Sequence, residues 1–195
     1  MKARDNPFSV ERVEAIRYRP LATTFDTILA RLAVLGYQAA IVGPEGSGKT
    51  TLLEDIERAL DRRGVRTRSI FVNDTVPLDG TRRKRLLLEL EGDEVVLLDG
   101  ADTLRPSVSM RFQRRLLKRA AGLVVTTHQP GCLPTLIECA TTPALLQGIV
   151  SDLVPSGSVP PDILKRLYHD HEGNIRHCLR DLYDLAACDP VAVLA

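Results

Sequence analysis

Gly43-Pro44-Glu45-Gly46-Ser47-Gly48-Lys49-Thr50 concentrates the most chemistry in this chain, because it fits the pattern G-x-x-x-x-G-K-[ST]. Glycines let a backbone curl until successive N–H groups converge on one anion. A helix starting at such a loop adds the positive end of its dipole. In this pattern the lysine, Lys49, sets a point charge against the β- and γ-phosphates of a nucleotide, and the hydroxyl of Thr50 is a ligand for Mg²⁺. The expected phosphate cradle is therefore these eight residues together with Thr51.

A second constellation lies downstream. Val95-Val96-Leu97-Leu98-Asp99 is an apolar run ending in a carboxylate. On a parallel strand that places Asp99 at the carboxyl end, beside the phosphate loop, where it can hold Mg²⁺ through water. Glycine, Gly100, occupies the next position, and Asp102 is the nearest carboxylate able to polarise a water, with Glu45 as an outside candidate. Asp102 also suits a plain helix cap. Leu123-Val124-Val125-Thr126 reads as another strand, and Thr127 and His128 stand at its end, where a polar side chain can meet a γ-phosphate or the attacking water.

The elements that must position these residues are legible around them. Ala39-Ala40-Ile41-Val42 has the continuous apolar character of a buried parallel strand, and Leu52, Leu53, Ile56 and Leu60 follow the loop at helical spacing. Helices are expected over 24–35, 81–90 and 107–120, and strands over 67–72 and 123–126. Val10, Val13 and Ile16 suggest a short amino-terminal helix, able either to pack beside a nucleotide base or simply to cover the sheet edge. A fifth strand is expected over 147–153. Residues 155–161 are linker-like, Asp162 is read as the cap of a helix, and a last helix carries Ile175, Leu179, Leu182 and Leu185. The domain reading is a core over 1–154 with its amino-terminal helical segment, and a helical lid over 155–195.

Composition narrows the class. At 195 residues and 44% hydrophobic, the chain suits one α/β domain with a small appendage. Lys and Arg number 26 against 25 Asp and Glu, so overall charge argues for neither nucleic acid nor membrane. No run approaches a membrane span, and the first five residues lead into no signal-peptide core, so a cytoplasmic location is expected. Cys132, Cys139, Cys178 and Cys188 include no C-x-x-C pair, and a zinc site from His128, Cys132 and Cys139 matches no common ligand spacing; free thiols are expected. Arg82-Arg83-Lys84-Arg85 and the stripe Arg111, Arg114, Arg115 and Lys118 read either as solvated faces or as a surface for DNA or a protein partner.

The arrangement resembles P-loop ATPases of the AAA+ and STAND-like kind. The residues that carry the likeness are the phosphate loop, the run from Val95 to Asp102, Thr126-Thr127-His128 and Gly173-Asn174-Ile175-Arg176. It implies an α/β three-layer sandwich with parallel strand order 5-1-4-3-2 and a small carboxyl-terminal helical lid. Asp99-Gly100-Ala101-Asp102 looks like the D-G-x-D variant of STAND ATPases. Gly173-Asn174-Ile175-Arg176 looks like a sensor-2 motif, which implies that Arg176 reaches the γ-phosphate, and His128 falls at the sensor-1 position. The chain departs from the pattern in three ways: the lid is short, no arginine finger precedes the fifth strand, and the usual catalytic Glu is missing. N-K-x-D is absent, which argues against a GTPase.

The expectation is a hydrolase that binds ATP and Mg²⁺, turns over slowly and switches its grip on a protein partner. An ATP-gated DNA-binding helper is the alternative, and a small-molecule kinase ranks third because no acceptor-binding signature is visible. Nothing in the sequence marks a residue for a closed ring.

Overall fold

The computed structural model describes residues 5–188 apart from 74 and 156. The expectations that touch 1–4, single positions of the 73–80 and 155–161 loops, and the last stretch of the lid, 189–195, lie outside the described residues. In chain order the elements are α1 (Val10–Glu14), α2 (Phe25–Val34), β1 (Gln38–Val42), α3 (Lys49–Arg62), β2 (Thr67–Phe71), α4 (Gly80–Glu89), β3 (Val95–Asp99), a 3-10 turn (Ala101–Thr103), α5 (Pro106–Leu116), β4 (Gly122–Thr127), β5 (Thr135–Glu138), α6 (Pro143–Leu153), α7 (Pro161–Asp170) and α8 (Ile175–Cys188). They fall into two compact units.

The first unit, Pro20–Gly43 and Lys49–Cys139, holds a sheet of five parallel strands in the order β2-β3-β4-β1-β5. Read from the other edge this is 5-1-4-3-2, the order implied by the resemblance. The central strands explain themselves: all of β3 and all but the last residue of β4 are buried, so both faces are covered and the strands are almost wholly apolar. Side chains alternate between the faces. On one face Ala40, Val42, Val96, Leu98, Leu123 and Val125 share a core with Leu87 of α4 and Phe112 and Leu116 of α5. Helix α3 crosses β1 to β4 and buries Leu52, Leu53, Ile56 and Leu60. The carboxyl ends of β1, β3 and β4 therefore come side by side, which is where open α/β sheets place their ligands.

The fifth strand is not where the sequence suggested. Residues 147–153 lie inside α6, and the edge strand is Thr135–Glu138. Local chemistry decides it. The Thr142 hydroxyl accepts the Leu145 N–H (3.0 Å), Pro143 occupies the first helical position, and the buried Leu146 and Val150 are four residues apart on one helix face. The true strand has only four residues, with β-branched Thr135 and Ile137 on one side, and is too short to stand out by periodicity.

The second unit joins the described amino-terminal residues up to Arg19, Pro44–Gly48 and the chain from Ala140 onward. Its core combines Phe8 with Leu146 and Val150 of α6, Leu164 and Leu167 of α7, and Ile175, Cys178, Leu179 and Leu182 of α8. Asn6 ties the amino terminus down: its amide donates to the Tyr183 carbonyl (2.9 Å) and its side-chain oxygen accepts the Phe8 N–H (2.9 Å). Helix α7 begins at Pro161, with Pro160 as the flanking residue, so Asp162 lies in the first turn rather than at the cap. There its charge still complements the helix dipole.

Candidate functional site

The phosphate loop has the backbone the motif requires. Gly46 (φ 69°) and Gly48 (φ 87°) are both left-handed, a conformation that lets consecutive N–H groups point inward and that side chains resist. The Ser47 hydroxyl donates to the Pro44 carbonyl (2.8 Å), and the Gly43 N–H donates to the carbonyl of Thr127 at the end of β4 (3.1 Å). The Lys49 ammonium donates to the Gly43 carbonyl (2.7 Å), curling back over the start of its own loop. Pro44 and Glu45 are exposed, while Thr51 is half-buried in the first turn of α3.

Thr50 and Asp99 are brought together. The Thr50 hydroxyl donates to Asp99 Oδ2 (2.8 Å), and Asp99 itself is only 8% exposed. The other carboxylate oxygen, Oδ1, accepts from the Thr126 hydroxyl (2.5 Å), which in turn accepts the Gly100 N–H (2.9 Å). Two hard oxygen donors at hydrogen-bond separation, one of them directly following the loop lysine in sequence, are the donor set Mg²⁺ takes when it keeps most of its water. The residues present therefore fit the ion. Thr126 is a positioning residue that sequence reasoning missed: a fully buried hydroxyl ending an otherwise apolar strand was its signal.

Gly100 accounts for the missing glutamate. Its φ is +80°, and a Cβ there would overlap the carbonyl oxygen of Val72, with the carbonyl carbon 3.2 Å away. A side chain at this position would force the Val72 backbone to move. Two residues on, Asp102 Oδ2 accepts the backbone N–H of His128 (3.0 Å) and lies 2.8 Å from Nδ1 of the His128 ring. Asp102 and His128 are thus a joined pair at the carboxyl ends of neighbouring strands. Thr127 turns its hydroxyl away into its own loop, donating to the Gln129 carbonyl (3.0 Å).

Within the second unit the sensor-like motif meets the phosphate loop. A Cβ on Gly46 would collide with the Asn174 side chain, and the Asn174 Cα lies 3.1 Å from the same point. The Asn174 side-chain oxygen also accepts the His177 N–H (3.1 Å), satisfying a first-turn donor of α8. Arg176 is exposed in that same turn. The ring of Tyr18 lies 3.3 Å from the position of a Gly48 Cβ, so the amino-terminal segment also packs on the loop.

No family profile and no curated protein matches the chain. Solved structures do. Two variants of RuvB from Thermotoga maritima align with TM-scores of 0.55 and 0.58, each at 16% identity. The alignments cover 84% and 88% of this chain, and 63% and 67% of the RuvB chains. The chain shares the five-stranded parallel α/β P-loop fold of these structures. At this identity the likeness establishes the fold alone, and this chain spans about two thirds of the length of the RuvB proteins. Among the described residues, the four cysteines form no disulfide, no His, Cys, Asp or Glu cluster forms a metal centre, and no helix is long and apolar enough to cross a membrane.

Proposed function

We propose that the chain binds ATP with Mg²⁺ and hydrolyses it slowly, using the cycle to switch its grip on a macromolecular partner. The observation that carries this is the Thr50–Asp99 pair beside the Lys49 loop. Lys49 and the loop amides hold the phosphates, and Thr50 and Asp99 hold the ion. The contact between Gly46 and Asn174 supports a coupling role for Arg176, which lies in the first turn of α8, the helix that follows Asn174. The Asp99-Gly100-Ala101-Asp102 run supports a STAND-like variant of the AAA+ fold.

Fluorescent-nucleotide binding and phosphate release test the proposal. Lys49→Ala abolishes binding, Asp99→Asn weakens it only when Mg²⁺ is present, and Arg176→Ala retains binding with slower turnover. Undiminished ATP binding by Lys49→Ala overturns the assignment.

A second reading, that the partner is DNA, is favoured by how charge is distributed in the sheet unit. Arg58, Arg66, Arg68 and Arg85 are each paired with carboxylates. Arg82 and Arg83 are spent on backbone carbonyls. Between Asp102 and Glu138, by contrast, the sequence has no carboxylate, and Arg111, Arg114, Arg115 and Lys118 are exposed on and just after α5. Such a face suits phosphate contacts. Reversing Arg111, Arg114 and Arg115 to Glu removes a salt-sensitive, ATP-dependent gel shift of duplex DNA; no shift by the native chain at low salt excludes this partner.

A further inference from the structure

ATP hydrolysis needs a group that orients the attacking water and takes up its proton. The left-handed backbone at Gly100 and the Val72 carbonyl exclude a side chain from the position directly after Asp99. Two neighbouring groups are already engaged: Asp99 accepts hydroxyls on both of its oxygens, and the Thr127 hydroxyl is bonded to the Gln129 carbonyl. Asp102 Oδ2 accepts the His128 backbone N–H and faces Nδ1 of the His128 ring at 2.8 Å. We propose that His128 is the catalytic residue that receives the water proton, and that Asp102 is a positioning residue acting through it. This rests on the proposed ATPase function and replaces the simpler assignment of Asp102 as the water-orienting group.

The pair has the required chemistry. A carboxylate facing Nδ1 favours the tautomer that carries its proton there, which leaves Nε2 as a lone-pair acceptor. That nitrogen makes no hydrogen bond to any described residue, and the side chain is 54% exposed. Its place in the fold is equally apt. His128 directly follows β4, whose last carbonyl, Thr127, holds the Gly43 N–H at the start of the phosphate loop. The bond from the His128 N–H to the same Asp102 oxygen pins the backbone that carries the ring. In the step itself the water oxygen forms a bond to the γ-phosphorus while the bond from that phosphorus to the β–γ bridging oxygen breaks. The water proton passes to Nε2 and from there to the phosphate product, and ADP leaves.

Steady-state hydrolysis by the full chain, alongside fluorescent-ATP binding, tests the assignment in four proteins: native, His128→Ala, Asp102→Asn and the double variant. His128→Ala lowers kcat by about 100- to 10,000-fold, the span of general acid–base catalysis, at unchanged nucleotide affinity. Added imidazole restores part of that loss. Asp102→Asn lowers kcat without response to imidazole, and adding it to His128→Ala costs nothing further, because a residue acting through another has no effect once that other is gone. A native rate in His128→Ala, or an Asp102→Asn loss that is equally large in both backgrounds, overturns the assignment while leaving the ATPase reading intact. Absence of ATP binding and turnover in the native chain overturns the ATPase reading, and this assignment with it.

Discussion

Gly100→Ala, compared with Gly64→Ala, measures how firmly the turn after Asp99 is built. Both glycines are left-handed, at φ +80° and +72°. They differ in surroundings: a Cβ at Gly64 meets nothing within 4 Å, whereas one at Gly100 overlaps the Val72 carbonyl. Backbone strain alone costs about 1–2 kcal/mol for a non-glycine residue in this conformation. Gly64→Ala should show that much and no more. Gly100→Ala adds displacement of the Val72 backbone, which is hydrogen-bonded to the Asp99 carbonyl (3.0 Å). Overpacking of this kind costs about 1–3 kcal/mol more. The total of roughly 2–5 kcal/mol is a large part of the stability of an ordinary domain. In urea, with a slope of about 2 kcal/mol per molar, the circular-dichroism midpoint of Gly100→Ala falls about 0.5–1.5 M below that of Gly64→Ala. Equal midpoints for the two variants would refute the steric reasoning, and with it the explanation for the missing glutamate.

Three further outcomes follow from particular contacts. Thr126→Val strips Asp99 of one hydroxyl donor and leaves the Gly100 N–H unpaired, which costs about 1–3 kcal/mol in urea melts and weakens Mg²⁺-dependent nucleotide binding by about 10- to 100-fold. Burial pushes the Glu94 carboxyl up, but the Arg68 hydrogen bond, the Glu91 N–H and the nearby positive charges outweigh it and hold the group below the usual carboxylate range. A depressed carboxylate contributes stability above its unfolded pKa and loses it as pH falls through the folded one, so the native chain should lose thermal stability on acidification more steeply than Glu94→Gln does. Leu182→Ala, at a fully buried position of α8, should cost about 2–5 kcal/mol in a urea melt.

The phosphate loop and the run ending in Asp99 were legible because each is written in contiguous residues: a strand, a glycine turn, a helix start, and an apolar run ending in a carboxylate; the sheet order came from the resemblance. What escaped was non-local or short. The edge strand Thr135–Glu138 offers four residues of pattern, while the apolar positions of 147–153 fit a strand until Thr142 and Pro143 are seen to start a helix. Thr126 looked like the end of a strand, and only the return of Asp99 beside it shows what its hydroxyl does. The contact of Asn174 with Gly46 joins residues far apart in sequence, and no spacing rule could supply it.

The absent glutamate shows why a motif departure needs a backbone explanation before a functional one. Read as sequence, Gly100 is a deletion of catalytic power. In the structure it is the residue that permits a left-handed step between Asp99 and the 3-10 turn. That step lets the Gly100 N–H reach the Thr126 hydroxyl, whose own proton goes to Asp99, so the turn and the putting of Asp99 in place are one arrangement. The same step starts the 3-10 turn that carries Asp102, whose carboxylate meets His128 at the end of the adjacent strand. A glutamate side chain at 100 would push against the Val72 carbonyl and strain the left-handed step that holds both the Thr126 bond and the start of the 3-10 turn. Under the proposed assignment, substituting Gly100, Asp102 or His128 alone should therefore impair the site rather than convert it to the commoner form.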